Sequence, residues 1–174
     1  GMTAVVSGAG TIGLATIESL KAMGASKVFV IQRKSVRREY AKNSGADAVL
    51  DPAECDVVAE VMRLTDGHGA DIAFECTGAQ ACFDQEVAAV HAGGTVVVTS
   101  IWEKGVSFDL NALVIPEKKI VGSICYCGND FDDVIRLMDE GKIPANGFIT
   151  KKVALDDIVS EGFETLTGPE KKKQ

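Results

Sequence analysis

A short apolar run, Ala4-Val5-Val6-Ser7, passes directly into Gly8-Ala9-Gly10-Thr11-Ile12-Gly13, and a helical stretch from Leu14 to Met23 follows, stopped by Gly24. Strand, three spaced glycines and helix in that order admit few folds. Gly8 permits the tight turn out of the strand. Gly10 removes a Cβ that would keep a ligand away from the backbone. Gly13 lets the helix lie close to the strand. The first turn of the helix presents N–H groups without intrahelical partners, at the positive end of its dipole. A pyrophosphate suits that position. Gly8, Gly10, Thr11, Ile12 and Gly13 are therefore the first candidate binding residues.

The same alternation continues along the chain. Strands are expected at Lys27–Ile31, Ala48–Leu50, Asp71–Glu75, Thr95–Thr99 and Ile120–Ile124. Helices are expected over about Ser35–Ser44, Ala53–Thr65, Gln80–His91, Asp130–Glu140 and Asp156–Leu166, with a short strand near Ile149–Val153. β-branched runs separated by helices of 10–15 residues (about that spacing in βαβ units) indicate a parallel sheet covered on both faces. The expected fold is α/β: one doubly wound, six-stranded parallel sheet, a Rossmann fold with strand order 3-2-1-4-5-6. It spans residues 1–174 as one domain, with the lysine-rich end at 169–174 frayed.

Composition narrows the partners. A formal net charge of -7 argues against nucleic acid. No apolar run is long enough for a membrane span. Five cysteines in an odd count, Cys55, Cys76, Cys82, Cys125 and Cys127, show no disulfide framework and point to the cytoplasm. Cys125 and Cys127 are poorly spaced for zinc, and no metal site is expected in this chain.

The end of the second strand bears on the cofactor. An NAD site usually carries Asp or Glu there, about 20 residues beyond the glycines, to accept bonds from the adenosine ribose. Here Gln32-Arg33-Lys34-Ser35 stands in that place, followed by Arg37 and Arg38. Cations and a hydroxyl suit a 2′-phosphate, which a carboxylate would repel. NADP is therefore favoured, with NAD second, and Gln32, Arg33, Lys34 and Arg37 join the candidate residues. No catalytic residue is identified. His68 lies in a glycine turn, His91 near a helix end, and neither has an evident nucleophile beside it. Neither tyrosine has a lysine four residues on: Tyr126 has Asp130 there, and Lys42 stands only two after Tyr40. Asp71, Glu75, Asp132 and Asp133 do not read as acid–base pairs. An S-adenosylmethionine methyltransferase also opens with a glycine loop after a strand. The third glycine and the missing acid after strand two argue against that class.

Further stretches carry a resemblance. They are Val36 to Asp47 with Asp51-Pro52, Asp66-Gly67-His68-Gly69-Ala70-Asp71, Phe74-Glu75-Cys76-Thr77-Gly78, and Ala92-Gly93-Gly94-Thr95-Val96-Val97. In this order they resemble the medium-chain zinc-dependent dehydrogenases. Ser100-Ile101-Trp102-Glu103-Lys104, Leu110-Asn111 and Gly122-Ser123-Ile124 are most similar to the 2,3-butanediol and polyol dehydrogenase branch. The resemblance implies hydride transfer between a nicotinamide dinucleotide and a secondary alcohol or diol, in a parent enzyme with a separate zinc-holding catalytic domain. That domain is expected to be absent from this chain, with zinc in the parent only and the isolated chain inactive. The resemblance also implies dinucleotide contacts at Cys76, Thr77 and Gly78, and at Thr99, Ser100, Ile101, Ser123 and Cys125. It places Arg37 beside the adenosine ribose. The sixth strand, with Leu110, Leu113, Val114 and Ile115 before it, is expected to join two copies into a homodimer. A regulatory dinucleotide-sensing module remains the alternative to an enzyme domain.

Overall fold

A computed structural model describes residues 1–144 and 148–168. Six strands form one parallel sheet: β1 (Thr3–Ser7), β2 (Lys27–Ile31), β3 (Ala48–Leu50), β4 (Ala70–Glu75), β5 (Val90–Val98) and β6 (Lys119–Gly122). Their spatial order is β3-β2-β1-β4-β5-β6, and every pair is parallel. The expected doubly wound architecture and strand order are present.

Alternation along the strands builds the two faces. Val5, Phe29 and Ile31 point to one side, where Val57 and Val61 of α3 (Val57–Leu64) and Phe83 and Val87 of α4 (Gln80–Ala89) cover them. Val6, Val28 and Val30 point to the other, against Ile17 of α1 (Thr11–Ala22) and Ala41 of α2 (Arg37–Asn43). The period of two is that of a strand, so consecutive valines necessarily serve opposite layers. Where both faces are covered, as over β1 and β2, the strands read as near-continuous apolar runs.

Several elements differ from the sequence expectation. The second helix begins at Arg37, later than Ser35. The third begins only at Val57, because Asp56 caps it by accepting the Ala59 N–H at 3.1 Å. The fourth stops at Ala89. His91 therefore lies in β5, which starts at Val90 and is interrupted by a bulge before Thr95. The apolar segment before β6 contains a short helix, α5 (Asn111–Val114). The following helix, α6, covers Gly128–Asp139, and Asp130 accepts the Cys127 N–H at 2.7 Å.

Beyond α6 the expected strand at Ile149–Val153 does not form. A strand exists only by pairing, and β6 ends the sheet. The expected helix at Asp156–Leu166 is a 3-10 turn (Leu155–Asp157), a wide π turn (Ile158–Phe163) and α7 (Glu164–Thr167). Ile158, Val159 and Gly162 all weaken regular α geometry there. The frayed end expected at 169–174 lies outside the described residues.

Candidate dinucleotide-binding site

The site is built on the carboxyl ends of β1, β4 and β5, at the edge where a doubly wound sheet opens a crevice. Gly8 takes the left-handed φ of +81°, and its N–H donates to Ile31 O at 2.9 Å. A Cβ on Gly13 would stand 1.9 Å from Gly8 O, so only glycine lets α1 pack so closely onto the loop. A Cβ on Gly10 would meet nothing within 4 Å. The backbone there faces open space that a ligand can enter. Gly10 caps α1 without any side-chain bond, which leaves the first turn at Thr11, Ile12 and Gly13 free of a competing side-chain acceptor. This combination suits a phosphate.

Gln32 has a role that sequence reasoning missed. Its Oε1 accepts the Ala9 N–H at 2.8 Å, and its Nε2 donates to Arg33 O at 3.0 Å and faces Ser35 Oγ at 3.4 Å. The side chain thus ties the glycine loop to the end of β2, across 23 positions of sequence. Arg38 is committed to Asp51 at 3.7 Å and Glu54 at 3.1 Å. Asp51, buried at the end of β3, also accepts the N–H groups of Lys34 (2.7 Å) and Ala53 (2.9 Å). Arg33 and Lys34 are exposed and form no ion pair among the described residues. Arg37 opens α2 from the same loop.

The turn after β4 and the loop after β5 complete the crevice. Thr77 lies against Gly8: a Cβ there would approach its Cγ2 to 2.8 Å. Gly78, at φ +66°, sits beneath Ile101 O and beside Ser100. Thr99 lies just past β5 but stays bonded to Glu75 O through its N–H (3.0 Å) and hydroxyl (2.8 Å). A cavity of about 540 Å³ opens here, lined by Thr77, Gly78, Gln80, Ile101, Trp102, Glu103, Lys104 and Gly105. Its size is in the range of small-molecule pockets. Trp102 packs edge-on to Phe83, with ring centroids 6.1 Å apart. Cys76 is half-buried, and burial pushes its thiol up, so it is no ready nucleophile. Ser123 N donates to Val98 O at 2.9 Å, holding the chain just beyond β6, and Cys125 follows at a left-handed φ of +58°.

Two buried carboxyls beneath these loops were also missed as a pair. Glu75 ends β4 and Glu86 lies on the inner face of α4, both fully buried. Glu86 Oε1 accepts the Ser7 N–H at 3.1 Å, while its Oε2 has no partner. Burial pushes the Glu86 carboxyl well above the usual carboxylate range. Bonding to Ser7 opposes that shift and the charge of Glu75 adds to it. The signal available in sequence was a glutamate at an apolar helix position, between Phe83 and Val87. His68 and His91 do not enter the crevice loops. His91 faces Asp71 at 3.3 Å, on the opposite end of β4 from Glu75. Among the described residues, no three His, Cys, Asp or Glu side chains form a group that could hold a metal.

This geometry defines a dinucleotide-type α/β domain, and comparison with known proteins gives its family. The family model described as zinc-binding dehydrogenase matches residues 11–140, and the chain belongs to that family, whose members use NAD(P) and zinc in the whole enzymes. The relatives place it in the butanediol dehydrogenase branch. It is 44% identical over 167 residues to (R,R)-butanediol dehydrogenase of Neisseria gonorrhoeae, covering 95% of this chain and 47% of that protein. It is 38% identical over 168 residues to L-threonine 3-dehydrogenase of Pyrococcus abyssi, covering 95% and 48%. The crystal structure of 2R,3R-butanediol dehydrogenase from Bacillus subtilis superposes with a TM-score of 0.92 at 40% identity, over 99% of this chain and 49% of that one. The chain thus spans about half the length of the relatives it matches. Among the described residues, no helix is long and apolar enough to cross a membrane.

Proposed function

We propose that residues 1–174 are the dinucleotide-binding domain of an alcohol or diol dehydrogenase that moves hydride between NADP(H) and a secondary alcohol or diol. The observation that carries this reading is the uncapped start of α1 at Gly10, open to solvent and flanked by the turns after β4 and β5. Gly8 to Gly13 would hold the pyrophosphate. Cys76, Thr77 and Gly78, with Thr99 to Ile101, Ser123 and Cys125, would line the course toward the nicotinamide. The bound cofactor supplies the hydride; these residues supply position. Ile101 and Trp102 line the cavity and would give the reacting ring an apolar surface to lie against.

The preference for NADP rests on Gln32. Its side chain is a neutral amide, with its oxygen already bonded to the Ala9 N–H, so it offers the ribose no anionic acceptor. Arg33 and Lys34 stand exposed beside it, and Arg37 opens the helix that follows. A charge-assisted hydrogen bond contributes about 1.5–3 kcal/mol, enough for roughly tenfold selectivity even after partial screening by salt. Dimerisation is proposed through β6, the exposed edge of the sheet. Ile120, Val121, Leu110, Val114 and Ile115 are all exposed around it. The free thiols support a cytoplasmic location.

Trp102 is the only tryptophan and lines the cavity. Its quenching by NADPH and NADH gives both affinities directly. NADPH is expected to bind more tightly, by a margin that shrinks with added salt and in Arg33→Ala. Tighter or equal NADH binding overturns the NADP preference. Failure to bind either dinucleotide overturns the site.

A further inference from the structure

We infer that Glu75 is a positioning residue for the dinucleotide, one buried carboxylate that clamps the turn after β4 to the loop after β5. The inference rests on the proposed dinucleotide site and concerns how that site is held in shape. Glu75 Oε1 accepts three bonds from the turn: Thr77 N–H at 2.7 Å, Thr77 Oγ1 at 2.5 Å and Gly78 N–H at 2.9 Å. Its Oε2 meets the Ser100 hydroxyl. No lysine or arginine pairs with it among the described residues. A fully buried carboxylate without a cation is an expensive way to end a strand, since an apolar residue would fill the same volume more cheaply. What the carboxylate adds is a set of four donors drawn to one point from two loops that are distant in sequence.

The clamp has a consequence for the crevice. Thr77 and Gly78 turn their N–H groups inward to Glu75, so these groups do not face a ligand. The turn therefore offers shape: the Thr77 methyl against Gly8, and Gly78 tucked beneath Ile101 O. Anionic parts of the dinucleotide are left to the glycine loop and α1. If the clamp is released, the inward N–H groups swing free and the Thr77 methyl leaves its place against Gly8. The cavity wall then loses its outline while the sheet keeps its pairing.

The test titrates NADPH and NADH into the wild-type chain, Glu75→Met, Glu75→Gln and Ser100→Ala, well below each melting midpoint, with amide hydrogen exchange measured in parallel. Methionine keeps the volume and loses all four bonds; Kd is expected to rise about tenfold or more. Glutamine keeps a carbonyl acceptor for the turn and should recover most of the loss. Exchange should quicken at Thr77 and Gly78 and stay slow in β1, β2 and β4. Unchanged affinity in Glu75→Met overturns the inference and leaves the dinucleotide site standing. Faster exchange across the whole sheet also overturns it, by reducing Glu75 to a stability role. If Glu75→Met does not fold, Ser100→Ala decides by exchange together with affinity, because Ser100 itself lines the proposed cofactor course: weaker binding with faster exchange at Thr77 and Gly78 supports the clamp, and unchanged exchange there, or wild-type affinity, overturns it. A wild-type chain that binds neither dinucleotide overturns the site and the clamp together.

Discussion

Replacing Glu86 by glutamine should reshape the dependence of stability on pH. The wild-type carboxyl is fully enclosed, with one oxygen on Ser7 N–H and the other unpartnered. Burial raises its proton affinity in the folded state well above the ordinary value of 4.5. The folded form therefore binds this proton more tightly than the unfolded form does. The stabilisation is fully present below about pH 4.5 and is lost as pH rises through the raised folded value. Within that window each pH unit costs about 1.4 kcal/mol. The loss accumulates between the ordinary value and the raised one, so it falls in the range from about pH 5 upward.

Glutamine cannot titrate, and its carbonyl still accepts from Ser7. Its amide brings two N–H donors to a place where no partner for Oε2 exists, at a cost of about 1–3 kcal/mol. Glu86→Gln should therefore be the less stable chain at low pH and lose less on the way to neutrality, so the two curves converge or cross. Urea unfolding followed by Trp102 fluorescence across that range measures the difference. Glu18, whose carboxyl is also raised by burial, is common to both chains and cancels. Parallel curves for the two proteins would refute the reasoning.

Gly13→Ala places a methyl 1.9 Å from Gly8 O; α1 must lift from the loop, and a stability loss of about 1–3 kcal/mol with weakened dinucleotide binding should appear in paired unfolding and titration experiments. Phe83→Ala removes the ring that Trp102 and Phe108 pack against, and denaturation should show a loss of about 3–5 kcal/mol. For the proposed dimer, sedimentation should find two copies in the wild type and one in Val121→Lys, because a charge on the exposed edge of β6 opposes pairing; a monomeric wild type at tens of micromolar (roughly the range of a weak interface) would refute the interface.

Legibility from sequence followed the range of the physical cause. The limits of β2 and β3 were readable because a buried parallel strand needs an unbroken apolar run, and turn residues bound both. The glycine loop was readable because Gly13 answers to Gly8 O, a contact made within the motif itself. The strand order followed from the fold class that this loop implies. Elsewhere local signals misled. The residues from Ile149 to Val153 suggest a strand, but no free sheet edge meets them. The helical pattern from Gln80 suggests an end at His91, yet α4 stops at Ala89 because Val90 pairs with Ala70 in the sheet.

What the sequence by itself determined is the alternation of buried strands and covering helices, and with it the class of fold and the place of the glycine loop. Those depend on burial patterns that repeat every two or every 3.6 residues (about the strand and helix periods). Only the tertiary structure decided which polar groups meet. Gln32 finds Ala9, Glu75 gathers Thr77, Gly78 and Ser100, and Glu86 reaches Ser7 from 79 positions away. A hydrogen bond is short and directional, so its partner is chosen by strand register and by how the helices seat on the sheet. No local pattern of residues carries that information.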